Sequence, residues 1–306
     1  MKSMECMKPK IGVLLRHWDA YSLSKDCLDS ILSLNYPNLE IYLLDDASSD
    51  LSSIELFADF PSLRITRVFG RIEYCKTFNL LGERAIANGC EYIFIVNNDT
   101  KGFKKNFFED LLSKFSESIA IVSPMVKNFD GKWLHWRNRK WLDIDFPLAT
   151  EGYLVKSEVW EELGGFNESY IRYCEDLDFI LRLGKAGYGM ALSLETQFEH
   201  LGSGSSGRQV FIPSFYFSRN ILWIQKSRDN GFKISHIANW YAKNLFLFQK
   251  SKSDIQKWEV RRGFNRIIYI LLGLALGILT GPTANFGLLK HISFSASKSR
   301  IAMRLK

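Results

Sequence analysis

Five carboxylates in this chain have the residue types and spacing for chemistry. They are Asp45, Asp46, Asp99, Glu175 and Asp176. If the segments that carry them meet at one edge of a sheet, the carboxylates repel one another unless a cation is present. Hard oxygen ligands favour Mg²⁺ or Mn²⁺, which can bridge to a diphosphate. Any one of these residues could instead be an ordinary turn former or helix cap, but their joint occurrence predicts a site that handles a nucleotide.

Strands and helices alternate in the first part of the chain and would position these carboxylates. Apolar runs rich in β-formers predict strands over Ile11–Leu15, Glu40–Leu44, Leu63–Val68, Tyr92–Val96 and Ala120–Val122. Helical spacing over 23–32, 78–86 and 107–115 fills the intervals. The alternation indicates an α/β fold, with a mostly parallel sheet flanked by helices. Ligands of such sheets bind outside the carboxyl ends of the strands.

A second set of elements would complete the sheet. The pattern predicts a strand over 151–155, a capped helix over 157–163, a helix over 175–185 and a strand over 190–194. The acidic pair would then open a helix, where the helix dipole alone favours acidic side chains. Because adjacent helical residues diverge by about 100°, only one of the pair is expected to reach a reacting group.

Composition and cysteine spacing exclude several classes of protein. With 306 residues, 46% hydrophobic side chains and 7 prolines, the chain is neither disordered nor collagen-like. Its 5 cysteines include no C-x-x-C pair for zinc or redox chemistry. The first ten residues lack the apolar run of a signal peptide. We therefore expect a cytoplasmic protein.

The net charge of +7 hides an uneven distribution along the chain. Residues 1–218 contain 24 Lys and Arg against 30 Asp and Glu, whereas residues 219–306 contain 16 against 3. The two parts are therefore expected to face different partners. We predict an N-terminal tail over 1–9, a catalytic domain over 10–214, and a helical, basic region over 215–306.

Several segments resemble family 2 glycosyltransferases. They are Ile11–Leu15, the Asp45-Asp46-Ala-Ser-Ser-Asp50 turn, Asn97-Asn98-Asp99-Thr100, and the block from Glu151 to Asp178 followed by His200. The match spans residues 10–210, and the block over 151–187 is its specific part. The Asn-Asn-Asp variant and the aromatic-Arg-Asn segment at 217–220 are most similar to the rhamnosyltransferase-type branch, which serves bacterial surface polysaccharides.

The resemblance implies a GT-A fold and an inverting sugar transfer. The donor would be a nucleotide-diphosphate sugar, and the acceptor a glycan or a lipid-linked sugar. By the family's motifs, Asp45 would accept hydrogen bonds from the base of the donor nucleotide, with Asp46 and Asn98 in the same donor site. Asp99 would ligate the Mg²⁺ or Mn²⁺ ion that holds the diphosphate.

The implied metal shell departs from the family pattern at one position. Asn97 stands where the family has an acid, and a neutral amide ligates a hard cation more weakly than a carboxylate does. His200 matches a histidine that completes the metal shell in some relatives. A surface position is the alternative for a lone histidine before a loop.

The acidic pair is the candidate catalytic group. Inversion by direct displacement requires one general base to take the proton of the acceptor hydroxyl. By the family's pattern Asp176 is that base, and Glu175 is the alternative if the local turn points it inward.

Aromatic and glycine-rich segments are candidates for acceptor binding or for a lid. Trp133 and Trp136 could stack on sugar rings or bind nucleic acid, and a partly buried hairpin is the alternative. Tyr173 precedes the acidic pair and is a third candidate. Gly204 lies in the stretch 202–207, which spells G-x-G-x-x-G far from the first βα turn. We interpret this stretch as a mobile loop over the donor, with a simple linker as the alternative.

The basic part of the chain, residues 219–306, mixes Lys and Arg with apolar side chains. The uncharged run over 267–280 is shorter than the roughly 20 residues of a spanning helix. Basic amphipathic helices suit an anionic membrane surface, and a solvated helical subdomain is the alternative. We expect no nucleic-acid partner and a peripheral position on the inner face of the cell membrane.

Two other classes of function were weighed against this one. A nucleotidyltransferase or dehydrogenase would need a glycine-rich loop after the first strand, where this chain has Arg16-His17-Trp18. A non-enzymatic basic binding protein would have no use for the acidic cluster. The resemblance therefore implies a metal-dependent glycosyltransferase of polysaccharide and cell-wall biosynthesis, and neither alternative class accounts for the acidic cluster as well.

Overall fold

A computed structural model describes most of the chain, namely residues 8–49, 52–128, 131, 151–201, 211–227, 256–281 and 302–304. The strands are β1 (Ile11–His17), β2 (Leu39–Asp46), β3 (Arg64–Val68), β4 (Tyr92–Val96), β5 (Thr100–Lys101), β6 (Ile119–Asn128), β7 (Gly152–Lys156), β8 (Gly189–His200) and β9 (Ala302–Arg304). The helices are α1 (Tyr21–Leu32), α2 (Ser52–Asp59), α3 (Tyr74–Ala87), α4 (Phe107–Leu112), α5 (Ser157–Glu162), α6 (Glu175–Lys185), α7 (Phe211–Lys226) and α8 (Gln256–Leu279).

One mixed sheet runs through the fold, in the strand order β5-β8-β6-β7-β4-β1-β2-β3-β9. The central strands β3, β2, β1 and β4 are parallel, whereas β7 is antiparallel to both β4 and β6. The register pairs His17 with Asp45 and Leu15 with Val96, so β1, β2 and β4 end at one common edge. Gly152 at the start of the antiparallel β7 pairs with Val96 and returns the chain to this edge. The predicted α/β class is confirmed.

β1 shows why helices cover both faces of the sheet. Leu14 packs into a core with α3, α5, α6 and α7, whereas Val13 and Leu15 pack into a second core with α1, α2 and α4. All three side chains are fully buried. Successive side chains of a strand point to opposite faces, and burying each one contributes about 1.5–3 kcal/mol.

Some local features differ from the sequence pattern. The helix α2 and the two-residue strand β5 lie in segments for which the sequence pattern predicted no element. The helix α5 begins at Ser157 with Lys156 at its N-cap and forms no side-chain cap hydrogen bond, so the predicted cap is wrong.

Helices α7 and α8 carry the start of the basic region. Trp223 and Ile224 of α7 are fully buried in the same core as α3 and α6, and Ile270 of α8 joins them. A Cβ atom on Gly273 of α8 would lie 2.4 Å from the carbonyl oxygen of Phe215, so the two helices approach closely. Within the described residues, no helix is both long enough and apolar enough to cross a membrane.

Candidate functional site

Two adjacent aspartates end β2, and both are completely buried. Asp45 lies 3.3 Å from Arg67 Nε. Asp46 accepts hydrogen bonds from the backbone N–H of Ile72 at 2.8 Å and from Arg16 Nε at 3.0 Å. Because a buried carboxylate is costly without partners, these contacts hold together the ends of β1, β2 and β3. Donor binding by the two aspartates stays a prediction.

Basic and aromatic side chains surround this end of the sheet. The guanidinium carbon of Arg71 lies 3.9 Å from the centroid of the Trp18 ring. Burial, followed by the charge of Arg16, lowers the pKa of Arg71. Its Nε and Nη2 are buried and form no hydrogen bond. Guanidinium groups bind phosphate and stack on planar rings, so this cluster can contact a nucleotide. No role was predicted for these three residues from the sequence, although Arg16 lies near the end of β1, Trp18 directly after it and Arg71 shortly after β3.

The structure brings Asp99 and His200 together. Strands β5 and β8 pair Thr100 with His200, which places His200 Nε2 3.1 Å from Asp99 Oδ1. Burial opposes the charged form of His200, but the hydrogen bond and the charge of Asp99 outweigh it and raise the pKa of His200. Asn98 is buried and donates from Nδ2 to Ser24 Oγ at 2.9 Å, which fixes the loop after β4.

Asp99 and His200 could bind a divalent cation that is also bound by the oxygens of a diphosphate. In the part of the chain that the structure describes, no group of three or more His, Cys, Asp or Glu side chains could hold a metal ion. One carboxylate and one imidazole are donors that Mn²⁺ accepts, and diphosphate oxygens can fill further positions. Nδ1 of His200 is buried and forms no hydrogen bond. These donors suit a shared site better than an all-protein cage.

A strained turn presents the acidic pair. The backbone φ angles are +67° at Ile171, +65° at Tyr173 and +66° at Cys174. Each left-handed residue of this kind costs about 1–3 kcal/mol, so the surrounding contacts must impose the turn. Cys174 is the N-cap of α6, and Glu175 and Asp176 form its first turn.

Burial dominates the electrostatics of the pair. Glu175 is buried, and its Oε2 forms no hydrogen bond. Burial, and then the charge of Asp176, raise the pKa of Glu175. Burial also raises the pKa of Asp176, against the hydrogen bond that its Oδ1 accepts from the backbone of Leu177 at 2.7 Å. Two coupled carboxyls with raised pKa values are an arrangement that supports general acid–base chemistry near neutral pH.

The segment 72–75, which the sequence analysis did not single out, links the parts of the edge. Tyr74 donates from its hydroxyl to Asn97 Oδ1 at 3.2 Å. The backbone N–H of Cys75 donates to the carbonyl oxygen of Ile171 at 3.2 Å. Since Ile72 also binds Asp46, this one segment contacts the end of β2, the loop after β4 and the turn before α6.

Glu151 is a further acid at the edge that sequence reasoning did not assign. It precedes β7, is buried, and its backbone carbonyl accepts a hydrogen bond from the N–H of Asn97 at 3.0 Å. Its charge helps to raise the pKa values of both His200 and Asp176. The carboxylate therefore lies within electrostatic range of the Asp99–His200 pair and of the acidic pair. Glu151 reaches this edge because β7 is antiparallel to β4 and β6. The sequence pattern does not reveal the direction of β7, so it could not indicate the position of Glu151.

The remaining candidates divide into two groups. Trp133, Trp136 and Gly204 lie outside the described residues. Tyr173 lies in the strained turn, where burial raises its pKa. Tyr173 lies close to the acidic pair in the chain, and its contact with an acceptor stays a prediction.

Known structures share this fold. The chain is similar to the mannosyltransferase PcManGT from Pyrobaculum calidifontis, solved in complex with GDP-Man and Mn²⁺. The TM-score is 0.57 and the identity 16%, and the match covers 90% of this chain and 87% of that one. It is also similar to S. aureus TarS 1-349 in complex with UDP-GlcNAc, with a TM-score of 0.54, 15% identity, and coverage of 87% and 83%. At such low sequence identity, the structural similarity establishes the fold alone.

Sequence comparison gives a weaker relation. No protein-family profile matches the chain. The uncharacterized protein y4gI of Sinorhizobium fredii is 22% identical over 233 residues, which is 66% of this chain and 25% of that protein. The chain therefore spans about a quarter of the length of this relative.

Proposed function

We propose that this protein is an inverting glycosyltransferase that moves a sugar from a nucleotide-diphosphate donor to a hydroxyl of a glycan or lipid-linked acceptor. One observation carries the proposal. The Asp99–His200 pair and the Glu175–Asp176 pair lie at one end of the same sheet, with Glu151 within electrostatic range of both. The fold likeness to a mannosyltransferase bound to GDP-Man and Mn²⁺ supports it.

In this proposal Asp99 and His200 hold Mg²⁺ or Mn²⁺ together with the donor diphosphate. The cation, when bound, neutralises the negative charge that develops on the leaving nucleotide diphosphate. Arg71 lies with its buried Nε 3.9 Å from Asp46 Oδ2 and with no hydrogen bond at its Nη2, and it is placed to add positive charge nearby. Asp45, Asp46 and Asn98 form the donor site by shaping the loops that enclose the nucleotide.

The chemical step assigns one proton to the acidic pair. The acceptor oxygen attacks the anomeric carbon, the bond from that carbon to the diphosphate oxygen breaks, and Asp176 takes the hydroxyl proton. Its raised pKa supports this role, because a base is most effective when its pKa lies near the working pH. Glu175 is the alternative base, and Tyr173 contacts the acceptor.

The wider role follows from the sequence. Residues 10–214 form the catalytic domain, and the basic residues 219–306 bring it to the inner face of the cell membrane, where the product enters a surface polysaccharide or cell-wall polymer. The Asn-Asn-Asp variant supports a rhamnosyltransferase-type donor preference.

The test combines donor binding with transfer. UDP-, dTDP- and GDP-sugars are screened by thermal shift with and without Mn²⁺, and transfer is measured with the donor that stabilises the protein. Asp99→Ala should abolish the Mn²⁺-dependent shift. Asp176→Asn should retain donor binding and lower transfer by at least about 100-fold, as expected for loss of a general base.

Asp110→Asn is the matched control, because Asp110 is also a partly exposed aspartate in the first turn of a helix. It should leave transfer unchanged. The absence of a thermal shift with every donor, or full transfer by both Asp99→Ala and Asp176→Asn, would contradict the proposed function.

A further inference from the structure

The turn before the acidic pair is held in its strained shape from outside. The N–H of Arg172 donates back to the carbonyl oxygen of Tyr170 at 2.7 Å, and Ile171 between them has φ +67° and ψ −60°. This is the rare form of the γ-turn, which does not persist without support. The β-branched side chain of Ile171 makes the conformation still less favourable.

Asn220 of α7 supplies much of this support. Its Nδ2 carries two N–H donors and lies within hydrogen-bonding distance of three carbonyl oxygens of the turn, those of Tyr170 at 3.0 Å, Arg172 at 2.8 Å and Tyr173 at 2.7 Å, so that one donor is shared between two of them. Asn220 is completely buried, so no water competes for its amide donors. One amide group thus gathers the backbone that leads into α6.

Arg219 orients this amide and extends the contact. Its Nε donates to Asn220 Oδ1 at 2.7 Å, which fixes the amide with Nδ2 toward the turn. Its Nη2 donates to the carbonyl oxygens of Ser169 and Tyr170, both at 3.0 Å. The guanidinium carbon lies 4.1 Å from the centroid of the Trp223 ring. Arg219 is completely buried. Because removing a guanidinium group from water is costly, such burial requires well-formed contacts.

The opposite side of the turn is anchored by α3. Glu73, which itself has φ +70°, accepts a hydrogen bond from Arg172 Nη2 at 2.8 Å. The N–H of Cys75 binds the Ile171 carbonyl. The turn is therefore held between the start of α3 and the middle of α7.

We infer that Arg219 and Asn220 are positioning residues, which set the direction of the Glu175–Asp176 pair by holding the 170–174 backbone. Both side chains bind the turn through its main-chain carbonyl oxygens, and they act through the main chain. The inference rests on the proposed function for its catalytic consequence. It places a part of the C-terminal region, α7, inside the catalytic apparatus.

The test is an isosteric pair of substitutions on one helix. Asn220→Asp keeps the shape of the side chain but removes the amide donors. Gln225→Glu makes the same change at another buried amide of α7, which has no hydrogen bond from its Nε2. Hydrogen–deuterium exchange is measured for peptides over 170–178 in the full chain, together with kcat and the Kd for the donor nucleotide.

We expect Asn220→Asp to speed exchange over 170–178 by at least about tenfold and to lower kcat by about 100-fold, as for a misplaced catalytic group. The Kd for the donor should change by less than about threefold, because the main chain of β2 and β5 is untouched. Gln225→Glu should alter neither exchange over 170–178 nor kcat. Arg219→Lys keeps the positive charge but loses the two contacts with carbonyl oxygens, so it should have intermediate effects on exchange and kcat. It replaces Asn220→Asp in the test if that variant does not fold.

Unchanged exchange over 170–178 in the folded variants would overturn the inference. Faster exchange with unchanged kcat would overturn the positioning role while leaving the proposed function intact. A wild-type protein that transfers no sugar would contradict the proposed function and the catalytic consequence together, and the exchange data would still decide whether α7 holds the turn.

Discussion

Asp176 and Glu175 are adjacent acids at the start of one helix, and burial makes ionisation of either one costly. An acidic first turn is common in helices because the dipole favours it. That explanation accounts for the residue types but not for the raised pKa values, since a dipole alone would lower them. Ionisation of the pair is therefore unfavourable for the fold, and raised carboxyl pKa values of this kind are common at acid–base sites.

Asp176→Asn should raise the melting temperature at pH 8 and have no effect near pH 4. In the native state burial raises the pKa of Asp176, so the native state binds its proton more tightly than the unfolded state. Stability from this group is complete below the unfolded pKa of about 4 and is lost as pH rises through the native pKa. The neutral amide has no such loss. Thermal unfolding of both proteins from pH 4 to pH 8 measures the difference.

Asp110→Asn serves as the reference, because Asp110 lies in a helix first turn without burial in the site. Its melting temperature should follow that of the wild type across the same range. A wild type that is more stable than Asp176→Asn at pH 8 would mean that the carboxylate is stabilised in place, against the burial argument.

The strands of the sheet could be predicted where a run of consecutive residues is apolar. The direction of a strand could not be predicted where it depends on pairing with strands distant in the chain. β1, β2 and β4 are apolar runs between turn signals, and their prediction needs no knowledge of their neighbours. β7 has the same composition, but its antiparallel direction depends on pairing with β4 and β6. Glu151 could not be placed at the edge for this reason.

The strained turn before α6 was beyond sequence reasoning altogether. Ile171 and Tyr173 have no preference for positive φ, so no local signal predicts their conformation. The cause lies about 50 residues further along the chain, in the side chains of Arg219 and Asn220. In the sequence alone, the aromatic-Arg-Asn segment at 217–220 is only a point of resemblance to a family.

Close packing between β1 and α3 gives an element-scale prediction. A Cβ atom on Gly12 would lie 2.8 Å from the Cβ of Ala85 and 3.1 Å from the Sγ of Cys90. Gly12→Ala should therefore destabilise the fold by about 1–3 kcal/mol, the cost of overpacking a core. Urea unfolding monitored by circular dichroism measures the change.

Gly184→Ala is the matched substitution, because nothing lies within 4 Å of a Cβ atom at that position in α6. It should stabilise the protein by about 0.5–1 kcal/mol through helix propensity. Equal stability of Gly12→Ala and the wild type would show that α3 can move away from the sheet, contrary to the close approach described above.

At the scale of the whole molecule, the net charge of +7 describes neither of its parts. Residues 1–218 contain 30 Asp and Glu against 24 Lys and Arg, a balance that does not favour contact of this part with an anionic surface. The excess of 16 basic over 3 acidic residues in 219–306 begins in α7, whose Trp223 and Ile224 pack into the same core as α3 and α6. Attachment of the basic region to a membrane would therefore also bring the sheet close to that surface.

This arrangement predicts that the full chain binds vesicles of phosphatidylcholine with phosphatidylglycerol, and phosphatidylcholine alone much more weakly, as measured by co-sedimentation. Reversing the adjacent pair Arg261 and Arg262 to Glu should weaken binding by at least about tenfold, since each basic residue near the surface contributes about 1 kcal/mol. Reversing the adjacent, exposed pair Lys104 and Lys105 makes the same change in net charge within the acidic part and should weaken binding far less. Equal losses from the two reversals would mean that net charge alone drives adsorption, and the basic region would then have no special part in locating the enzyme.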